Sequence, residues 1–184
     1  MHDIVFPNNN EQEFLDMAKQ LGFDSLIFVY PLNKHKENHA ILASPNELYK
    51  AKKLSKIILC NSNERNIFES NCPNVVFELE NISKVDSLHF RYSGLNHILC
   101  NLAKKNNISI GISFSLALRS KGMLRSQILG RMEQNIMLAR KYGLKTIVAS
   151  FARSPSEIRS AHDLRSFALT LGMTPEQVKH CFSS

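Results

Sequence analysis

Apolar residues along the chain form two kinds of pattern. Short apolar runs rich in β-branched residues, such as Leu26 to Tyr30 and Ile108 to Ser113, predict strands that are covered on both sides. Between such runs, apolar residues recur at every third or fourth position, which predicts helices with one buried face. The clearest helical stripe consists of Leu95, Ile98, Leu99, Leu102 and Ala103.

Strand and helix patterns alternate along the whole length, which favours a parallel sheet with right-handed crossovers. The chain of 184 residues has no linker, so we expect a single domain over residues 1–184. Eight candidate strands predict the α/β class, as a compact (β/α)8 TIM-barrel-like fold. Such barrels usually have about 250 residues, so the helices must be truncated; an open doubly wound sheet is the alternative. The predicted strands are Ile4 to Phe6, Leu26 to Tyr30, His39 to Ala43, Lys56 to Cys60, Val75 to Leu79, Val85 to Phe90, Ile108 to Ser113 and Thr146 to Ser150.

Charge is unevenly divided between the two halves of the chain. Residues 1–90 carry 9 lysines and arginines against 12 acids, a net charge of −3, whereas residues 91–184 carry 14 against 4, a net charge of +10. Eight of the nine arginines lie in the second half. A basic region without membrane features favours a polyanionic partner, and nucleic acid is the usual one. A solvated basic surface without a partner is the alternative.

Most of the cationic candidates follow the last two predicted strands. In TIM barrels the loops after strands seven and eight often bind anions, and a guanidinium group can hold a phosphate through two hydrogen bonds. We therefore predict contacts to an RNA backbone, although pairing with Glu133, Glu157 and Asp163 would account for some of these arginines. The predicted RNA-binding residues are Arg91, Arg119, Lys121, Arg125, Arg153, Arg159 and Arg165.

A catalytic centre is not indicated by any motif. Barrel phosphoesterases that depend on metals carry a His-x-His pair near the end of the first strand, but here His2 and Asp3 stand at its beginning and no second histidine follows. Neither a Gly-x-Ser-x-Gly elbow nor a glycine-rich phosphate loop is present. We predict no catalytic residue, no metal and no cofactor. A metal-dependent phosphoesterase on the same barrel is the alternative function.

Cysteine spacing and hydropathy bear on the compartment. The four cysteines lack the paired spacing of a zinc site or a disulfide framework, which predicts reduced, buried thiols in an intracellular protein, and we expect it in the cytoplasm. No apolar run approaches the roughly 18 residues of a membrane helix. The N-terminus lacks the pattern of a secretory signal, so we expect no membrane partner.

Residues 86–115 predict a strand, a turn, a helix and a second strand. The turn has the sequence Arg-Tyr-Ser-Gly-Leu-Asn-His at positions 91–97, and Ser93 is the predicted N-cap of the helix. The polar positions of this turn either fix its conformation by hydrogen bonds or contact RNA or a partner protein, and both interpretations remain open. These positions are Ser93, Gly94, Asn96 and His97.

The same turn resembles the ribonuclease P protein component 3 family, the archaeal counterpart of the thirty-kilodalton subunit of RNase P/MRP. Two further blocks resemble that family in the same order: residues 140–164, with Arg-Lys-Tyr-Gly-Leu followed by Ala-Ser-Phe-Ala-Arg-Ser-Pro, and residues 171–176, Leu-Gly-Met-Thr-Pro-Glu. The family commonly has Pro and Arg where this chain has Ala161 and His162. Arg91, Ser93, Gly94, Asn96 and His97 are positions of the family motif.

The resemblance implies a barrel-like fold and a role in ribonuclease P, an RNA-based endonuclease that matures the 5′ end of precursor tRNA. It implies that the RNA performs the chemistry, and that the protein is non-catalytic in isolation and stabilises the folded RNA. The partners it implies are RNase P RNA, precursor tRNA and other RNase P protein subunits. Among these subunits it points to protein component 2, often in a two-by-two heterotetramer.

Overall fold

The computed structural model describes residues 2–82, 86–87 and 89–181. Seven strands form one parallel sheet in sequence order. The strands are β1 His2–Val5, β2 Ser25–Pro31, β3 Ala40–Leu42, β4 Ile58–Cys60, β5 Val75–Phe77, β6 Ser109–Ser113 and β7 Thr146–Ala149. The helices are α1 Glu11–Gln20, α2 Leu48–Leu54, α3 Arg65–Glu69, α4 His97–Lys105, α5 Phe114–Arg119, α6 Gly122–Tyr142, α7 Ala161–Thr170 and α8 Pro175–Cys181.

The two ends of the sheet meet, so that the sheet forms a nearly closed barrel. Val5 in β1 pairs in parallel with Ala152, and the Phe6 amide donates to the Ala152 carbonyl at 2.8 Å. The buried Asp3 carboxylate strengthens this contact, since its Oδ1 accepts from the Ser150 amide at 2.7 Å. Burial raises the pKa of Asp3 to about 6. The predicted barrel-like α/β class is confirmed.

Of the predicted sixth strand, Val85 to Phe90, the residues that the structure describes do not join the sheet. β5 pairs directly with β6, with Val75 opposite Ser109. Ser87 and Phe90 form an isolated antiparallel bridge with each other, while Val85 and Leu88 lie outside the described residues, as does Phe182 of the last predicted helix. Parallel neighbours need a crossover of about a dozen residues or more, and the interval from Leu79 to Val85 is too short. The described chain therefore has seven strands rather than eight, and the predicted strands seven and eight are β6 and β7.

The core lies inside the barrel and between the barrel and its helices. The interior of the barrel is filled by side chains from the strands, among them Ile4, Val29, Leu59 and Phe77. Ile128, Met132 and Ile136 on α6 pack against the outside of the sheet. All four cysteines are buried and free. Among the described residues, no helix has the length and hydropathy needed to cross a membrane.

Two helix starts differ from the predictions. Asn96, not Ser93, is the N-cap of α4, because its side chain accepts from the Leu99 amide at 3.0 Å. The apolar stripe of Ile128, Met132, Ile136 and Ala139 predicts a helix from about Ser126 to Tyr142, whereas α6 begins four residues earlier, at Gly122, and the short helix α5 precedes it. The predicted N-cap at Ser93 is thus wrong by three residues, since the turn that contains it continues to Asn96.

Candidate nucleic-acid interface

Aromatic side chains close the barrel at the end where the strands terminate. Phe77 at the end of β5 stacks on Phe151, with ring centroids 4.7 Å apart and planes 6° apart, and also contacts Phe6 at 5.6 Å. Gly111 in β6 makes this packing possible, because a Cβ there would lie 2.7 Å from the Cβ of Phe77. Enzymes with this fold bind their substrates at this end of the barrel, whereas here the three rings occupy the mouth.

Glu78 directly follows the aromatic stack and joins two arginines. It has a left-handed backbone with φ of 53° and is 5% exposed. Its Oε1 accepts from Arg119 Nη2 at 3.0 Å and from the Ser113 hydroxyl at 3.3 Å, and its Oε2 accepts from Arg153 Nη2 at 3.3 Å. Arg119 follows β6 and Arg153 follows β7, so one carboxylate links the two loops that the sequence singled out.

Glu157 is the second acid of this network. Its Oε2 accepts from Arg119 Nη1 at 3.2 Å and from the Arg153 amide at 2.8 Å. Arg119 Nη1 also donates to the Ser115 hydroxyl at 3.1 Å. Two arginines and two acids balance in charge, which agrees with the pairing to Glu157 that we kept as an alternative. Glu78 was not predicted as a site residue, although its position directly after the Val-Val-Phe strand could have indicated that it lies at the end of the barrel.

Arg125 keeps its positive charge. Its Nε donates to the Ser120 carbonyl at 2.7 Å and its Nη2 to the Leu118 carbonyl at 3.1 Å, both at the end of α5. Carbonyl groups orient a guanidinium group without cancelling its charge. Lys121 is exposed at the N-cap of α6 and forms no ion pair within the described residues. Both cations therefore remain available to an anion.

Arg159 is fixed in the same way after β7. Its Nη1 donates to the carbonyls of Ser156 at 2.8 Å and Ile158 at 2.7 Å, and its guanidinium lies 5.5 Å from the centroid of the Phe114 ring. Because Phe114 follows β6, this contact again joins the two loops. We use "arginine face" for the cations of the two segments that follow β6 and β7: Arg119, Lys121, Arg125, Arg153 and Arg159.

Two predicted RNA-binding residues lie outside the arginine face. Arg91 donates to the Gly130 carbonyl at 3.0 Å and lies 3.9 Å from the Glu133 carboxylate. Gly130 is eight residues into α6, which places it about 12 Å along the helix from its start. Arg165 is exposed one turn into α7. The loops after β6 and β7 thus bring together five of the seven predicted cations.

Several residues of the 91–97 turn form contacts that hold the turn in its conformation. Gly94 has φ of 83°, and a Cβ there would lie 2.2 Å from the Leu79 carbonyl oxygen. Ser93 is buried, and its carbonyl accepts from Asn135 Nδ2 at 2.9 Å. Asn96 caps α4, whereas His97 is exposed as the first residue of that helix. These contacts support the turn-fixing interpretation for the first three residues and leave His97 accessible.

A buried polar cluster on α6 holds this turn against the barrel. Arg131 is 1% exposed and donates to the Asp86 carboxylate at 2.9 Å and to the carbonyls of Glu80 and Ile82, each at 3.0 Å. Asn135 Nδ2 also donates to Glu80 Oε1 at 2.7 Å, and burial raises the pKa of Glu80 to about 7. This cluster was not predicted from the sequence. The feature that could have indicated it is the position of Arg131 and Asn135 on the apolar face of α6.

A metal site is not formed by the residues that the structure describes. Among them, no three His, Cys, Asp or Glu side chains lie close enough together to hold an ion. The two carboxylates at the barrel mouth, Glu78 and Glu157, each accept from guanidinium groups. A cation placed beside these carboxylates would be repelled by Arg119 and Arg153.

Fold and site together define a small parallel barrel whose mouth is closed and whose rim is cationic. The chain matches the family model described as RNase P subunit p30 over residues 42–184. It therefore belongs to the RNase P subunit p30 family, and the resemblance noted in the sequence is confirmed.

Individual relatives agree with this assignment. The chain is 28% identical over 178 residues to ribonuclease P protein component 3 of Methanococcus vannielii, an alignment that covers 91% of this chain and 72% of the relative. It is 33% identical over 94 residues to the protein of the same name from Methanosarcina acetivorans, covering 51% of this chain and 39% of the relative. A chain from a cryo-EM structure of archaeal ribonuclease P with mature tRNA superimposes with a TM-score of 0.77 at 19% identity, covering 97% of this chain and 86% of that one. At this identity the superposition shows the fold.

Proposed function

We propose that this chain is a protein subunit of ribonuclease P that binds and stabilises the catalytic RNA, while the RNA itself cleaves precursor tRNA at its 5′ end. The observation that carries the proposal is the family match, which spans residues 42–184. The relatives bear the name ribonuclease P protein component 3, and the similar fold comes from a complex that contains tRNA.

The closed barrel mouth supports a role without catalysis by the protein. A phosphoesterase needs an accessible base or metal beside its substrate. Here the space above the strands is filled by Phe6, Phe77 and Phe151, and both nearby carboxylates are paired with arginines. We therefore set the phosphoesterase alternative below the RNase P role.

The arginine face supports the binding of an RNA backbone. Arg119 and Arg153 are balanced by two acids, so the positive charge of the arginine face comes from Lys121, Arg125 and Arg159. Arg125 and Arg159 are held by carbonyl groups, so little side-chain entropy is lost when they bind a phosphate. We propose these three cations as the main phosphate contacts of this end of the barrel.

RNase P RNA, precursor tRNA and other RNase P protein subunits are the proposed partners. Among the subunits we propose protein component 2, in a two-by-two heterotetramer. Exposed acids of the first half, among them Glu13, Asp16 and Glu37, are suited to a basic protein partner. We place this assembly in the cytoplasm, where four free, buried thiols would remain reduced.

Reconstitution tests the proposal directly. Cleavage of precursor tRNA by archaeal RNase P RNA and the other protein subunits is measured with and without this chain, at a low magnesium concentration that leaves the RNA dependent on protein. We expect faster cleavage when the chain is present. Equal rates over a range of magnesium concentrations would contradict the proposal.

Charge-neutral variants test the arginine face. The double variant K121Q/R159Q removes two of the proposed phosphate contacts, and K19Q/K34Q, which removes two cations outside that face, is the matched control. We expect the slope of log K against log salt for RNase P RNA to become shallower by about 0.7–0.9 per lost contact in the first variant only. The same change in both variants would show that net charge alone governs binding.

A further inference from the structure

A second cationic surface lies at the opposite end of the barrel, where the strands begin. It is a shallow depression of about 630 Å³ between the end of α2, the turn after α3 and the end of α4. We call it the lysine depression. The polar residues that line it include Lys52, Lys53, Lys56, Asn71, Asn74 and Asn107.

The charge of the lysine depression is unusual for the half of the chain that contains it. Residues 1–90 carry a net charge of −3, yet residues 48–63 contain four lysines and no acid. Within the part of the chain that the structure describes, Lys52, Lys53 and Lys56 form no ion pair with a carboxylate. At the other end of the barrel, Arg119 and Arg153 are neutralised by acids. Each of the two surfaces therefore has three cations without a carboxylate partner among the described residues.

Neutral donors accompany the lysines. Asn74 Oδ1 accepts from the Ile58 amide at 2.8 Å, which holds its carboxamide in place and leaves the NH2 group as a donor at the exposed surface of the depression. Lys52 Nζ donates to the Asn71 carbonyl at 2.8 Å, which fixes this lysine beside the same surface. Oriented amide and ammonium donors around a concave surface are suited to phosphate oxygens.

The helix dipole explains only part of the arrangement. Lysines are favoured near helix C-termini by about 0.3–1 kcal/mol without any ligand, and Lys52 and Lys53 lie in the last turn of α2. Lys56 lies beyond the helix, and Asn74 belongs to the turn before β5. The dipole therefore does not account for these two residues; the hydrogen bond to the Ile58 amide accounts for the position of Asn74, whereas Lys56 has no carboxylate partner among the described residues.

We infer that the lysine depression is a second RNA-backbone site of this protein. The inference rests on the proposed role in RNA binding and adds a surface that is separate from the arginine face. Point charges and amide donors contact phosphates without reading bases, so the site binds structured RNA through its backbone. Since the two sites lie at opposite ends of a rigid barrel, they hold two separate stretches of RNA.

Binding of an archaeal RNase P RNA transcript over a series of salt concentrations tests the inference, with the full chain as K53Q/K56Q and K19Q/K34Q as the matched control. We expect K53Q/K56Q to lose about 3- to 5-fold in affinity per lysine, and its salt slope to become shallower by about 0.7–0.9 per contact. Its effect on log K should add to that of K121Q/R159Q, because distant sites are independent.

Each outcome has a distinct meaning. If the wild-type chain binds the RNA and K53Q/K56Q matches K19Q/K34Q in affinity and slope, the lysine depression is not an RNA site, while the proposed function stands. If the wild-type chain neither binds the RNA nor stimulates cleavage, both proposals fail.

Lysine acetylation provides a second measurement that needs no variant. The chain is treated with an acetylating reagent in the presence and absence of the RNA, and the modification of each lysine is followed by mass spectrometry. We expect RNA to protect Lys53 and Lys56 more strongly than Lys19 and Lys34. Equal protection of all four would overturn the inference.

Discussion

The substitution Gly94→Ala tests whether the family motif at residues 91–97 serves folding. Gly94 has φ of 83°, and an added Cβ would lie 2.2 Å from the Leu79 carbonyl oxygen and 2.9 Å from its carbon. Both are backbone atoms, so a rotamer change cannot relieve the overlap. Either the turn or the end of the β5 segment must move, which strains the contact between Ser93 and Asn135 and the cap at Asn96.

A second glycine, Gly22, serves as a control that separates the cost of a left-handed backbone from the cost of the steric overlap. Gly22 has φ of 77°, but no atom lies within 4 Å of the position of its Cβ. Gly22→Ala therefore has only the cost of placing alanine in a left-handed backbone, about 1–2 kcal/mol. This cost is partly offset because alanine lowers the entropy of the unfolded chain. Gly94→Ala adds an overlap of the kind that costs about 1–3 kcal/mol in packed interiors. We expect a loss of about 1 kcal/mol for Gly22→Ala and of about 2–4 kcal/mol for Gly94→Ala.

Urea unfolding followed by circular dichroism measures the difference. With a slope of about 2 kcal/mol per molar urea, the midpoint should fall by about 0.5 M for Gly22→Ala and by about 1–2 M for Gly94→Ala. Affinity for RNase P RNA, measured where each variant is folded, should stay at the wild-type value. Equal midpoints for the two variants would refute the steric reasoning. Wild-type stability together with weaker RNA binding in Gly94→Ala would assign the motif to RNA recognition instead.

Three further predictions concern buried charges. Arg131→Met leaves Asp86 and two backbone carbonyls without their donor. Urea unfolding should therefore show a loss of about 3–5 kcal/mol in the free energy of unfolding, and a loss below 1 kcal/mol would contradict a stabilising role of this cluster. In the folded state Glu80 keeps its proton up to about pH 7, but in the unfolded chain only up to about pH 4.5. Between these two pH values the free energy of unfolding of the wild-type chain should therefore fall relative to that of Glu80→Gln, by about 1.4 kcal/mol per unit of pKa difference. Parallel pH curves for the two proteins would disprove this. Glu78→Gln removes the charge shared by two arginines of the arginine face, which should steepen the salt dependence of RNA binding, and an unchanged slope would argue against RNA at this face.

The local patterns of apolar residues predicted most strands of the sheet. The apolar runs at Leu26 to Tyr30 and Ile108 to Ser113 became β2 and β6 with boundaries shifted by one residue, because strands that are buried on both sides need continuous apolar sequence. The segment Val85 to Phe90 has a similar local pattern but does not join the sheet. Its exclusion follows from chain connectivity, since five residues after Leu79 cannot form a parallel crossover.

The charged parts of the site depend on long-range contacts that local patterns cannot specify. Arg131 is buried because Glu80, Ile82 and Asp86, which lie 45–51 residues earlier, supply its acceptors. Likewise, Glu78 from the acidic half of the chain neutralises arginines from the basic half. The net charge of a chain segment therefore does not give the charge of the surface that the segment forms.

The arrangement of the barrel explains why its two ends differ. Barrel enzymes leave the carboxyl ends of their strands open around a substrate, whereas here the three stacked rings and the Glu78 network occupy this position and join β5, β6 and β7 to one another. Removing one of the three rings should lower stability, and under the proposed function the stimulation of precursor-tRNA cleavage by the chain should then follow the folded fraction of the protein. The surfaces that we propose for RNA are the cations outside this network, together with the lysine depression. Under the proposed function, recognition of RNA by this chain would depend on the spacing between these two cationic surfaces, which the barrel fixes.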